Sequence, residues 1–475
     1  MISALARSGC QNFEARILVL YAVLILISMA TMSLGAALVI LASLGTLFST
    51  ATRQAWQQSW RDVWSSSEGS NYRLWTSWLA TACLMSLLSQ QFFPLRFPGF
   101  DPVPVHWAKD LLKLWYFLWI PLLASVWHRT SSRLQTRVWQ AWLLTFLVIS
   151  AIGIFQFFTG WPRPQAIPHL DHRFHATLFL GHHLSTSSIW IFPFFAALAG
   201  AFSRPLQARF GLSRAVLVLA STLGGITLFL SFSRMLWLAL PLGLALFGLL
   251  WIFRKAPRTT PPPQSPLSEL PSPPATGSKS YPWLRLASLF ASGLTVIALI
   301  WQIPAVRERL LHSMGTQERI ELWKANWNFF LARPVFGVGW HHNLEIAGQY
   351  LRTLYPDRVS FVGHAHNNLL DVLGSLGAFG LMGWLGYQFW LTRLLIRQSF
   401  SRENSANPEA VLESQAQSDL ARGWLAAWLV FHCNGLTNLN FWEGKVQHQL
   451  AFMTALLLSA SLKRPSAEAR VASST

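Results

Sequence analysis

Long apolar blocks dominate this sequence and leave few folds open to it. A helix needs about 20 apolar residues to cross the hydrocarbon core of a bilayer. Blocks of about that length lie near residues 17–32, 34–50, 74–92, 108–127, 138–158, 184–203, 214–231, 235–253, 283–302, 367–392, 423–440 and 447–462. Hydrocarbon offers the backbone no hydrogen-bond partners, so each block is expected to be helical. The pattern predicts an all-α integral membrane protein with about twelve transmembrane helices. Composition agrees, with 52% of the 475 residues apolar and 12% charged, against about 25% charged in soluble domains. Many of the Trp residues sit near block ends (Trp56, Trp107, Trp161, Trp251, Trp301), where aromatic rings favour the headgroup zone. Residues 17–50 are long for one span and short for two, with Ser33-Leu34-Gly35 as the turn between them. The first block has the length of a signal peptide but no convincing cleavage site, and reads as an anchor.

The charge pattern orients the chain. With a cytoplasmic N-terminus, cytoplasmic segments hold 23 of the 37 Lys and Arg and outer segments hold 12, seven of them in one long loop. This is the bias the positive-inside rule requires. The organisation that follows is helices 1–9 over 1–302, with a cytoplasmic Pro-rich linker at 254–282. A periplasmic loop covers 303–366, helices 10–12 cover 367–462, and a cytoplasmic tail covers 463–475. Two cytoplasmic stretches, 256–282 and 399–420, lack any apolar period and are expected to be unfolded. The net charge of +18 lies between apolar blocks, so it points to lipid headgroups or phosphate and not to nucleic acid. The cysteines Cys10, Cys83 and Cys433 form no motif.

Polar residues gather on the outer side. An arginine at a membrane boundary is costly unless it meets an anion or water. Three outer arginines stand out: Arg173 in DHRFHATLFLGHH, Arg234 in the tight turn SFSRMLW, and Arg319 in QERIELW. Snorkelling is the plain alternative for each, and it is weakest for Arg234, whose short outer turn is a poor place for a positive charge. His364 and His366 lie where the chain re-enters the membrane, and a histidine there can serve as a general base. The histidines at 169, 172, 175, 182 and 183 have Asp171 as their only nearby carboxylate and no metal-site spacing, so no metal is expected. Lys109, Asp110 and Lys113 read most simply as an i,i+3 ion pair with snorkelling. Glu321 either pairs with Arg319 or faces water. His432 and Asn434 either line a cavity or bond between helices.

These outer motifs together resemble the superfamily of O-antigen ligases and related polymerases. That family has a His-Asn pair, nine residues, then Gly-x-x-Gly; here His366-Asn367 is followed by nine residues and then Gly377 and Gly380. Its Arg-x-x-x-Trp and Pro-x-Phe-Gly-x-Gly elements are matched by Arg319…Trp323 and Pro334-Val335-Phe336-Gly337-Val338-Gly339. Its Ser-Arg pair is matched by Ser233-Arg234, and Arg173 with Gly181-His182-His183 stands where an Arg precedes a Gly-Asn-Pro-Asn-like segment, with histidines replacing asparagines. The likeness covers roughly residues 140–460.

The resemblance implies a GT-C-like glycosyltransferase at the periplasmic face of a bacterial inner membrane. The donor would be a glycan on undecaprenyl diphosphate and the acceptor lipid A-core or another glycan. His366 would be the general base, Arg173, Arg234 and Arg319 would bind the diphosphate, and His364 and Asn367 would support. No cofactor is implied. Ligase, polymerase and protein glycosyltransferase share these motifs and stay open. A solute transporter, such as one for bicarbonate, should instead show broken helices in paired halves with mid-membrane polar residues, and a flippase should show a charged central cavity. The sequence has neither pattern.

Overall fold

The computed structural model describes residues 2–48, 50–167, 170, 172–254, 302–304, 307, 316–356, 363–401 and 407–462. The expected ninth span at 283–302, most of the Pro-rich linker, and the tail at 463–475 lie outside the described residues. Among those described, the architecture is all-helical. The helices are α1 (Ile2–Leu24), α2 (Met29–Gly45), α3 (Thr50–Ser65), α4 (Ser67–Phe92), α5 (Trp107–Leu112), α6 (Trp115–Arg129), α7 (Ser132–Thr159), α8 (His183–Phe202), α9 (Arg204–Phe210), α10 (Arg214–Leu230), α11 (Arg234–Ile252), α12 (Thr316–Ala332), α13 (Asn343–Leu354), α14 (Asn368–Phe400), α15 (Pro408–Gly435) and α16 (Gly444–Ala460). Among the described residues, six helical segments are long and apolar enough to cross a membrane, or seven if the bent α9–α10 pair is one span. The expected segments at 74–92, 423–440 and 447–462 fall largely on α4, α15 and α16. Nearly every residue of α8 and α16 is buried, and these two helices form the centre of the bundle.

Two expectations fail locally. The break between the first two helices falls at residues 25–28, not at Ser33-Leu34-Gly35. Ser28 and Thr31 bond each other's backbone N–H in a capping box, which fixes the start of α2. Residues 408–420, expected to be unfolded, form the first turns of α15. Asn407 caps that helix through the Glu409 N–H, and Pro408 occupies its first turn. The polar residues there are satisfied by one another: the buried Asp419 carboxylate accepts from Ser203 at 2.7 Å, Arg254 at 2.6 Å and Arg422 at 2.5 Å. Charge pairing replaces the apolar period that a local reading looks for.

The long helix α14 is broken at Gly377, whose φ of 66° and ψ of −168° are not helical. The break frees backbone groups on both sides, and in a membrane protein such groups must find partners. The turn 334–339 supplies them. Ala378 and Phe379 N–H donate to the carbonyls of Pro334 and Val335 at 2.8 and 3.1 Å, while Val338 and Gly339 N–H donate to Gly374 and Ser375 at 3.1 and 3.2 Å. The two backbones approach so closely that a Cβ at Gly377 would stand 2.4 Å from the Val335 oxygen, and one at Gly337 would stand 2.3 Å from the Ser375 oxygen. Gly380 is required by the same break, since its Cβ would stand 2.1 Å from that of Leu376. Above this junction α12, α13 and the 95–103 segment enclose a small apolar core of their own, including Val103, Leu322, Phe329, Ile346 and Leu351.

Gly377→Ala should cost about 1–3 kcal/mol in backbone strain before any clash is counted. Gly45→Ala, in open space at the end of α2, should cost nothing. Thermal unfolding of the detergent-solubilised variants checks this; equal midpoints would contradict the reading of the junction.

Candidate active site

The residues leading into α14 are held on both sides. Asn367 caps the helix by accepting the Leu370 N–H at 3.0 Å, and its amide donates to the Leu436 carbonyl at 2.9 Å. The Asn368 amide donates to Asn440 at 2.5 Å, and its oxygen accepts the N–H groups of Asn440 and Phe441. Between these anchors His366 is in the left-handed region at φ 46°, a conformation non-glycine residues seldom adopt. Its ring centre lies 4.2 Å from that of His364, and its N–H donates to His364 Nδ1 at 3.3 Å. That bond assigns the neutral Nε2–H form to His364.

Three further elements converge on this pair. Arg319, half-buried on α12, and His182, at the start of α8, both act electrostatically on His364 and His366. Burial, the neighbouring His364, and the Arg319 and His182 charges hold His366 down to about 3, and burial with the same neighbours holds His364 down to about 4. Both rings are therefore neutral at physiological pH, and His366 Nδ1 is buried without a hydrogen-bond partner. Burial, and then the charge of Lys445, in turn lower His182. Its ammonium donates to the Leu180 carbonyl at 2.7 Å and lies 3.9 Å from Glu443, a carboxylate that burial pushes up and that accepts from Ser185. His182 stacks on His183 at 4.9 Å, and His183 on His175 at 4.4 Å. His175 Nδ1–H donates to the Ser231 carbonyl at 2.9 Å, which ties the Ser233–Arg234 turn to the same chain of rings.

Of the residues singled out in the sequence, Arg319, His364, His366 and Asn367 come together, and Arg234 starts α11 at the same end of the bundle. Arg173 stands apart. Its guanidinium lies over Phe157 and Phe158, at 5.8 and 5.2 Å, and donates to the His172 carbonyl. Glu321 pairs with Lys324 and Gln317, each at 3.0 Å, and not with Arg319. Asp110 makes the expected ion pair with Lys113 at 2.9 Å and a further bond to His342 at 3.0 Å, fastening α5 to the 340–342 turn. Asn434 bonds Ser188 at 3.1 Å, the interhelical alternative. His169 and Asp171 lie outside the described residues; among the described ones no three His, Cys, Asp or Glu are placed to hold a metal.

Lys445 and Arg163 were missed. Lys445 is the second residue of α16 and the one Lys or Arg between the end of α15 and the end of α16, and the charge-bias argument applied to Arg234 would have found it. Arg163 Nη1 lies 2.7 Å from where a Cβ on Gly181 would stand, beside His182, and only the fold brings it there.

Residues 215–385 match the family model described as O-antigen ligase. Over that stretch the chain is similar to the O-antigen ligase family. No curated protein matches it. The matched segment contains Ser233–Arg234, Arg319, the 334–339 turn, His364–Asn367 and the Gly377 break, so most of the O-antigen ligase features here sit on one continuous stretch. Arg173, His182 and Lys445 lie outside it.

With its folded pKa depressed, His366 is deprotonated above about pH 3 to 4 in the free protein. Its protonation should then put no acid limb on kcat/KM between about pH 5 and 8, because that parameter reports the free enzyme. An anion on Arg319 would oppose the cationic charge and raise the histidine, so the acid limb of kcat should lie at higher pH than that of kcat/KM. A limb near pH 6.5 in kcat/KM that vanishes in His366→Gln would overturn this assignment.

Proposed function

We propose that this multi-pass membrane protein is a glycosyltransferase of the O-antigen ligase type. It spans a bacterial inner membrane about twelve times, with both termini cytoplasmic and the 303–366 segment periplasmic. The donor is a glycan on undecaprenyl diphosphate and the acceptor is lipid A-core. The observation that carries this reading is the convergence of Arg319 and His182 on the neutral His364–His366 pair at the entry to α14.

Breaking the sugar–phosphate bond leaves added negative charge on the diphosphate. Arginine binds phosphate oxygens through a planar fork of N–H donors and stabilises that charge without a metal. Arg319 and Arg234 take this role, with Arg173 at the rim beside the aromatic end of α7. His366 accepts the proton of the attacking hydroxyl, a step that contributes about 10²–10⁴-fold. The donor is already activated, so no nucleotide sugar is needed. A polymerase that adds one lipid-linked repeat to another uses the same groups.

Surface-polysaccharide profiles of a deletion strain test the proposal. Wild type should restore long-chain polysaccharide, while His366→Ala and Arg319→Ala should reduce it at least about 10²-fold at normal membrane levels. Core lacking any O-chain in the deletion strain indicates a ligase, and a single repeat on core indicates a polymerase. Equal complementation by all three proteins would remove His366 as the base and return attention to transport.

A further inference from the structure

Arg319 and His366 sit on different elements, yet a base and a leaving-group stabiliser must keep a fixed separation to act on one bond. The molecule contains a connection that does this. Asn326 lies two turns beyond Arg319 on α12 and is fully buried; its amide is bonded to the Leu322 carbonyl at 2.9 Å. The Asn326 oxygen accepts from the amide of Asn343, at the first position of α13, at 2.9 Å. The same Asn343 amide donates to Asp371 Oδ1 at 2.7 Å. Asp371, buried in the first turns of α14, also accepts the backbone N–H of Ala365, the residue between the two site histidines.

This chain of side chains runs without a gap from the arginine helix to the histidine loop. A buried carboxylate is expensive without donors, and here the Asn343 amide and the Ala365 N–H donate to it. The Ala365 N–H is the only bond among these that acts directly on the His364–Asn367 loop, and that loop holds His366 in a left-handed conformation that needs a restraint. The fit is tight, because a Cβ on Gly374 would stand 2.7 Å from the Asn326 oxygen.

We infer that Asp371 and Asn343 are positioning residues, which set the His366 ring relative to Arg319 through the Asn326–Asn343–Asp371–Ala365 connection. Neither touches substrate. The inference rests on the transferase reading above and adds to it two residues outside the Arg and His motifs. Asn343 stands directly after Trp340-His341-His342, which follow the 334–339 turn, so the connection also gives a role to a stretch whose glycines alone would serve only the turn.

The test uses membranes from the complemented deletion strain, with the strain's own undecaprenyl-diphosphate-linked glycan as donor and lipid A-core as acceptor. Asn343→Ala and Asp371→Asn should each lower kcat about 10- to 100-fold, the scale expected when a catalytic group shifts by about 1 Å. KM for the donor should stay within about twofold, because Arg319 and Arg234 are intact. Asp371→Asn keeps one acceptor and should lose less than Asp371→Ala. If Asp371→Ala does not reach the membrane, the other two variants carry the test. His366→Ala is measured alongside: if it retains full activity, the base assignment and this inference both fall. If His366→Ala is inactive while Asn343→Ala and Asp371→Asn keep wild-type kcat, or lose only donor KM, the inference fails and the base assignment stands.

Discussion

The break in α14 at Gly377 is the constraint on which the site depends. A helix interrupted inside an apolar bundle exposes donors and acceptors that hydrocarbon cannot satisfy. Four backbone hydrogen bonds to the 334–339 turn resolve this, and in doing so they dock the α12–α13 cap on the end of α14. Everything that converges on His366 from that cap, Arg319 included, does so because the turn is stitched to the break. The glycines at 337, 377 and 380 are thus parts of one joint, each excluded from bearing a Cβ by an identified neighbour.

The histidine loop sits ahead of that joint, about two turns from the first stitched residue, Gly374. It is fastened on one side to residues 436–441 by Asn367 and Asn368, and on the other to α13 by Asp371. Burial and surrounding positive charge keep both rings neutral in the free protein. An anion bound at Arg319 changes that balance in the direction of a stronger base. On the proposed diphosphate reading, the anion would neutralise the charge that holds the histidine down, and occupancy and basicity would be coupled.

The opposite end of the bundle uses a different device. There Asp419, with no exposed surface, gathers Ser203, Arg254 and Arg422. The segment's own sequence looks like solvated coil, and only the donors brought from the α8–α9 junction, from just beyond α11 and from the next turn of α15 make it a buried helix start. Local pattern fails at 408–420 for that reason, and it misplaces the α1–α2 break because the capping pair Ser28–Thr31 lies inside an apolar run.

Apolar block length by itself determined the helical membrane class, since hydrocarbon permits a lone segment little else. Motif spacing pointed to the O-antigen ligase family, whose model matches residues 215–385, and marked Arg319, His364, His366 and Asn367, which the fold brings together. Tertiary structure alone decided that Arg173 turns to the rings of Phe157 and Phe158, that Lys445 and His182 approach the site from helices outside the matched segment, and that Asn326, Asn343 and Asp371 link the arginine helix to the histidine loop. Those contacts join residues on different segments of the chain through a single amide, carboxylate or ring each. A hydrogen bond of that kind leaves no period in the sequence, because its geometry exists only once the helices are packed.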